Sequence, residues 1–173
     1  MPATTQIDLG GVWSLVSEGQ RSGLTITIPG DVHSALQGQG VIPDPYFGAN
    51  EAKVQWVAHQ DWTIARTFLL EACDLDGSWY LDLDYVDTVA TVRVNGEMVL
   101  EADNFFRRYR PDVSAYLCEG ENTIEVILHS PVRAGKERSM TGSPSRCRGA
   151  RTARFPMVIC CVSRPAISAG TGT

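Results

Sequence analysis

Residues 79–100, WYLDLDYVDTVATVRVNGEMVL, decide how the chain folds. They read as two strands joined by a tight connection, followed by a hairpin. Thr88 to Val94 alternates apolar against small or polar side chains, the period of a half-buried strand. Asn95-Gly96 tolerates the positive φ angles of a type I′ turn, whose twist matches the flanking strands. Val86, Val89, Val92, Val94 and Leu100 supply aliphatic, mostly β-branched mass of the kind a sandwich core uses.

Similar short runs lie on both sides. Val12 to Val16 and Leu24 to Ile28 read as strands before the hairpin, the second stopped by Pro29-Gly30. Trp62 to Leu70, Trp79 to Leu83, Glu97 to Glu101, Arg108 to Pro111 and Asn122 to Leu128 continue the pattern. Asp31 suits the N-cap of a short helix running through Val32–Leu36 and ending near Gly38 or Gly40. Val41 to Gly48, with two prolines and a glycine, reads as an ordered loop. Short strands at this spacing, with one helix near residues 31–38, predict an all-β antiparallel jelly-roll sandwich.

The chain has 173 residues, enough for one substantial core. Its net charge of −5 conceals a break. Residues 1–138 hold all 20 acidic side chains and 10 of the Lys and Arg; residues 139–173 hold five Arg and no Asp, Glu or Lys. All four tryptophans precede residue 80. Such a change marks a separate tail or sequence of different origin. No apolar run spans a membrane, and residues 1–11 lack the basic and apolar regions of a signal peptide, so the expected location is cytoplasmic. Five cysteines, odd in number and irregularly spaced, fit free thiols.

His33, His59 and His129 stand at no metal-ligand spacing, and the adjacent Cys160-Cys161 cannot chelate as a Cys-x-x-Cys pair does, so no metal site is assigned. No Walker loop, dinucleotide fingerprint or Gly-x-Ser-x-Gly elbow is present, so no cofactor or nucleophile is assigned either. Asp82 and Asp84 alternate with Leu81, Leu83 and Tyr85, a solvated strand face rather than a carboxylate pair for glycoside chemistry. Arg107-Arg108-Tyr109-Arg110 lies in strongly acidic surroundings, which favours cross-strand ion pairs over a nucleic-acid contact. Tyr46, Trp56, Asp61 and Trp62 combine aromatic faces that stack on sugar rings with a carboxylate that accepts hydroxyl hydrogen bonds. They are the candidate carbohydrate contacts; equally, the aromatics could fasten a long loop to the sandwich.

Seven blocks then carry a resemblance: LGGVWSL, IPGDVHSAL, IPDPYFGANE, QWVAHQDWTIARTF, DTVATVRVNG, NFFRRYRPDVS and GENTIEVILHSP. In this order and spacing they resemble the amino-terminal domain of β-mannosidases of glycoside hydrolase family 2, over about residues 8–138. The resemblance implies a jelly-roll, galactose-binding-like domain, followed in that family by an immunoglobulin-like sandwich and a TIM barrel that carries two catalytic glutamates. It implies a retaining exo-glycosidase acting on terminal β-linked mannose, with this chain the non-catalytic domain that supports the barrel and pocket. Neither glutamate has a counterpart here, so no catalytic residue carries over and the chain alone is expected to be inactive. The implied partners are the remaining domains and mannosides, with no nucleic acid and no membrane. A free-standing carbohydrate-binding module is the alternative.

The family's Phe-Gly-Trp-Asp-Trp segment is missing from residues 139–173. Reading from the third base of each codon, starting in Arg154, allows Ile-Pro-Asn-Gly-Asp-Met-Leu-Arg-Lys-Pro-Ala-Cys-His-Phe-Gly-Trp-Asp-Trp. The tail from about residue 139 is therefore expected to be out of frame and poorly ordered, with Phe155 to Val162 its one apolar stretch suggesting a strand.

Overall fold

Period-two alternation decides which side chains of each strand meet the core. The computed structural model describes residues 6–19, 23–72, 77–141 and 161–170. Strand β1 is Gln6–Asp8. β2 (Gly11–Ser17) turns Trp13, Leu15 and Ser17 inward, and β3 (Leu24–Ile28) turns Leu24, Ile26 and Ile28 inward. The two-residue β4 (Gly30–Asp31) leads into helix α1 (Val32–Gly38), whose N-cap Asp31 accepts a hydrogen bond from Ser34 N–H at 2.9 Å. α1 buries Val32, His33 and Leu36.

β5 (Trp62–Leu70), β7 (Ala90–Val94) and β9 (Gly120–Leu128) form the middle of a six-stranded antiparallel sheet in the order β3-β2-β5-β9-β7-β8. β8 (Glu97–Ala102) is the far edge, joined to β7 through Asn95 and Gly96 at φ 51° and 86°. Both positive angles are those a type I′ turn demands. The second sheet sets β10 (Cys161–Gly170) between β1 and β6 (Ser78–Asp84), with β4 also pairing onto β10. Trp79, Leu81 and Leu83 of β6 face Ile124, Val126 and Leu128 of β9 across one shared core. This is the jelly-roll sandwich expected from the alternation.

Several elements differ from their sequence reading. β6 and β7 lie in different sheets, so residues 85–89 cross the sandwich instead of joining neighbours. Arg108 to Pro111 makes isolated bridges, Leu83 with Tyr109 and Tyr80 with Asp112, and no strand. Pro111 accepts from Leu81 N–H at 3.0 Å but has no N–H to return, so the pairing is interrupted there before Val113 N–H donates to Trp79 O at 2.9 Å. Residues 50–59 are helical: α2 (Asn50–Val54) runs into a 3₁₀ turn at Gln55–His59 and buries Val54 and Val57. α3 (Pro131–Thr141) begins where the strand pattern dissolves. Within residues 139–173, where little order was expected, the backbone of Cys161–Gly170 is a strand. Most of the predicted strand Phe155 to Val162 lies outside the described residues, as do Cys73, Cys147 and Cys160. Cys118 is a free, exposed thiol. No helix among the described residues is long and apolar enough to cross a membrane.

The β3 edge is closed by a side chain. Gln39, just after α1, accepts from Thr25 N–H at 3.1 Å and donates to Thr25 O at 2.6 Å.

Candidate functional site

Asp44 builds the loop that carries Tyr46. Its Oδ1 accepts from Tyr46 N–H at 2.9 Å, and its carbonyl accepts from Asn50 Nδ2 at 3.0 Å. The loop holds Tyr46 and Phe47 open to solvent, 80% and 76% exposed. Trp56, on the 3₁₀ turn, is half-buried and packs 6.1 Å from Trp62 at a 45° tilt. Trp62 itself is 1% exposed, and its indole N–H donates to Val57 O at 3.0 Å. It offers no face to a sugar. As the first residue of β5 it shares the inward face with Ile64, Phe68 and Leu70, and there its burial is worth more than its exposure.

Asp61 fastens elements together. Its Oδ1 accepts from Ser130 N–H at 2.7 Å and pairs with Arg133, and its Oδ2 lies 3.6 Å from His129 Nδ1. His129 Nε2 is 2.8 Å from Thr91 Oγ1. Ser130 Oγ donates to Ala58 O at 2.8 Å and accepts from Arg133 N–H at 3.2 Å, which caps the start of α3. The start of β5, the end of β9 and the start of α3 are thus tied through one carboxylate. The structure brings Asp61, Trp56 and Trp62 near one another as a structural junction, while Tyr46 stands exposed on its loop.

Burial pushes the Asp61 carboxyl up, but hydrogen bonds from Ser130 and Arg133, the Arg133 charge and His129 outweigh it, so Asp61 sits below the ordinary carboxylate range. His33 is 6% exposed with Nδ1 unbonded, and burial lowers its imidazole pKa against the opposing pull of Asp31. Each shift has a sign. A lowered His contributes stability that is full above its unfolded pKa of about 6.5 and falls as pH drops below it. A lowered Asp contributes stability present above its unfolded value, which is lost as pH falls through its folded pKa. Urea midpoints taken from pH 8 to 3 should therefore decline in two stages, the first below about pH 6.5 and the second below about pH 4. His33→Gln should flatten the first stage alone; an unchanged slope in that variant would show that another group titrates there.

Asp82 and Asp84 face solvent on β6 and are matched by Arg110 and Arg108 at 3.0 and 2.7 Å. Arg110 also lies 4.8 Å over the Tyr80 ring. These are the ion pairs expected from the acidic surroundings of Arg107 to Arg110.

The sequence reading passed over one cluster. Tyr85, Phe105 and Phe106 touch in a row, with ring centroids 5.6 and 5.2 Å apart. In the sequence the neighbouring arginines mask it; its signal is the pair of aromatics after Asn104, at the tip of a chain reversal.

The family comparison decides the lineage. Residues 13–157 match the model of the glycosyl hydrolase 2 galactose-binding domain-like family. The chain belongs to that family. It is 37% identical over 135 residues to the probable β-mannosidase of Caenorhabditis elegans, covering 78% of this chain and 15% of that protein. It is 37% identical over 136 residues to β-mannosidase of Bos taurus, covering 77% of this chain and 15% of that one. The crystal structure of β-D-mannosidase from Dictyoglomus thermophilum superposes with a TM-score of 0.86 at 28% identity, over 96% of this chain and 22% of that one. The chain therefore corresponds to one domain of these relatives, the galactose-binding-like domain that glycosyl hydrolase 2 proteins carry at the amino terminus.

Proposed function

We propose that this domain is the non-catalytic part of a β-mannosidase-like glycosidase acting on terminal β-linked mannose in oligosaccharides, where it supports the catalytic barrel and helps wall the substrate pocket. The observation that carries the reading is the 37% identity to β-mannosidases over a span that is only 15% of their length. The surface carboxylates of β6 agree with it, since Asp82 and Asp84 are each held by an arginine and neither is poised as an acid or nucleophile. Incubated with 4-nitrophenyl β-D-mannopyranoside, the 173-residue chain should release no nitrophenol above buffer. Measurable turnover that survives repurification would sink the reading. Its partners would be the immunoglobulin-like sandwich and TIM barrel of the same polypeptide.

The tail from about residue 139 belongs to the same proposal as a segment read out of frame. Its composition break supports this, and β10 coincides with the stretch where the shifted reading gives Arg-Lys-Pro-Ala-Cys-His-Phe-Gly-Trp. Backbone pairing needs no particular side chain, so a strand can form there in either frame. Sequencing the coding DNA tests it: an open alternate frame continuing past the Phe-Gly-Trp-Asp-Trp codons is expected, and a closed one rules the shift out.

The second reading, a free-standing carbohydrate-binding module using the region from Tyr46 to Trp62, is favoured by the exposed Tyr46 ring. Saturable quenching of Trp fluorescence by manno-oligosaccharides would support it.

A further inference from the structure

Single exposed aromatics are ordinary on protein surfaces. Three that touch in a row, two of them on a braced loop, are not. Phe106 is 88% exposed and Tyr85 49% exposed, with Phe105 between them. The loop beneath them is held from below by Tyr109. Its ring is 6% exposed, and its hydroxyl accepts from the N–H groups of Asp103 and Asn104, both at 3.1 Å. Tyr109 is itself locked to Leu83 by two backbone hydrogen bonds of 2.9 and 3.0 Å. Asn104 Oδ1 accepts from Phe106 N–H at 2.9 Å and fixes the turn that presents the ring. Tyr85 holds φ at 54°, a left-handed conformation that aromatic residues seldom adopt, between the last residue of β6 and the fully buried Val86. A cluster fixed before any ligand arrives loses little entropy on binding one.

The polar rim tells what ligand suits it. Asp84 Oδ1 is paired with Arg108 at 2.7 Å beside Tyr85, and the exposed Asn104 keeps its amide NH₂ for donation while Oδ1 serves the turn. Neighbouring rings are tilted 43° and 81° to one another, so each offers its own face. Separate aromatic faces near a carboxylate, a guanidinium and an amide match successive pyranoses, each of which presents an apolar C–H face and a rim of hydroxyls. A protein anchor would instead seat its rings at the dry centre of a patch, with charged groups further out. A nucleic acid would meet the acidic field of residues 1–138.

We propose that Tyr85, Phe105 and Phe106 form a stacking platform for an oligosaccharide, with Asp84, Arg108 and Asn104 receiving its hydroxyls. The choice of a mannose-based oligosaccharide rests on the glycosidase reading above; the platform itself does not. The test is a ¹⁵N-NMR titration of the 173-residue chain with β-1,4-mannotetraose, with maltotetraose as comparison. Saturating shifts are expected at Tyr85 and at Asn104 to Phe106, with the affinity for mannotetraose falling on the order of tenfold in Phe106→Ala. Because the Phe106 side chain is so exposed, the variant should unfold at the parent's urea midpoint, which separates lost stacking from lost fold. Shifts gathered on Tyr46 and Trp56, with Phe106→Ala binding like the parent, overturn the platform while leaving sugar binding by the domain intact. Absence of any shift with either sugar overturns it as well, and Phe106-dependent self-association in sedimentation would then assign the cluster to protein contacts. Equal affinity for both sugars supports the platform but removes the mannose preference. None of these outcomes depends on the hydrolysis assay, so the two readings fail separately.

Discussion

Trp62→Ala should lower the stability of the chain by about 3–5 kcal/mol, the cost of removing a large aromatic from a packed core. The ring is 1% exposed, it opens the strand that lies between β2 and β9, and its N–H already has a partner in Val57 O. The truncation leaves a cavity beneath Trp56 and deprives the 3₁₀ turn of its anchor, so the loss includes the docking of residues 55–59. Urea unfolding followed by far-UV circular dichroism measures it. Trp56→Ala, at a half-buried site, should cost clearly less. A Trp62→Ala variant as stable as the parent would mean that this indole is not core and that its face is open to a sugar.

The second large effect is expected at Asn122. Its side chain is fully buried and completely satisfied: Oδ1 accepts from Cys118 N–H at 2.9 Å and Asn95 Nδ2 at 2.8 Å, and Nδ2 donates to Cys118 O at 2.7 Å and Gly120 O at 3.1 Å. Asn95 continues the network to Tyr116 O and to Thr123 N–H. Asn122→Ala strips partners from several groups at once, and each one left buried and unpaired costs about 1–3 kcal/mol. A total of about 3 kcal/mol is expected after local relaxation. A double-mutant cycle with Asn95→Ala should show a coupling on the order of 1 kcal/mol, because the two amides share a bond. Strict additivity would mean that the hairpin turn and the β8–β9 connection are energetically separate.

These two residues mark what the sequence could and could not say. Alternation located β5 to the residue, and Asn95-Gly96 announced its turn from backbone chemistry alone. The period of two also placed Trp62 on the face of Ile64 and Leu70, so its burial was legible to a reading that gave alternation priority over sugar chemistry. Partnership was not legible. A strand's pattern says which face is apolar and nothing about which sheet it joins, which is why the crossing at residues 85–89 looked like a tight turn. Short helices such as α2 and α3 draw their stability from contacts distant in sequence, for α3 the Asp61 and Ser130 junction, and their local pattern is weak. The aromatic cluster joins Tyr85 to Phe105 and Phe106, and only the folded chain sets them in a row.

The glutamine at the β3 edge bears on how the molecule behaves in company. Leu24–Ile28 carries no charge, proline or bulge, and alternates threonine with branched aliphatics, a composition that invites a second chain to add itself to the sheet. Gln39 satisfies the outward N–H and C=O of Thr25, the second residue of β3. An incoming strand finds that position taken by an amide that mimics its own backbone. Among the described residues, resistance to polymer growth at this edge therefore hangs on one tethered side chain, and it holds only while α1 stays folded beside β3.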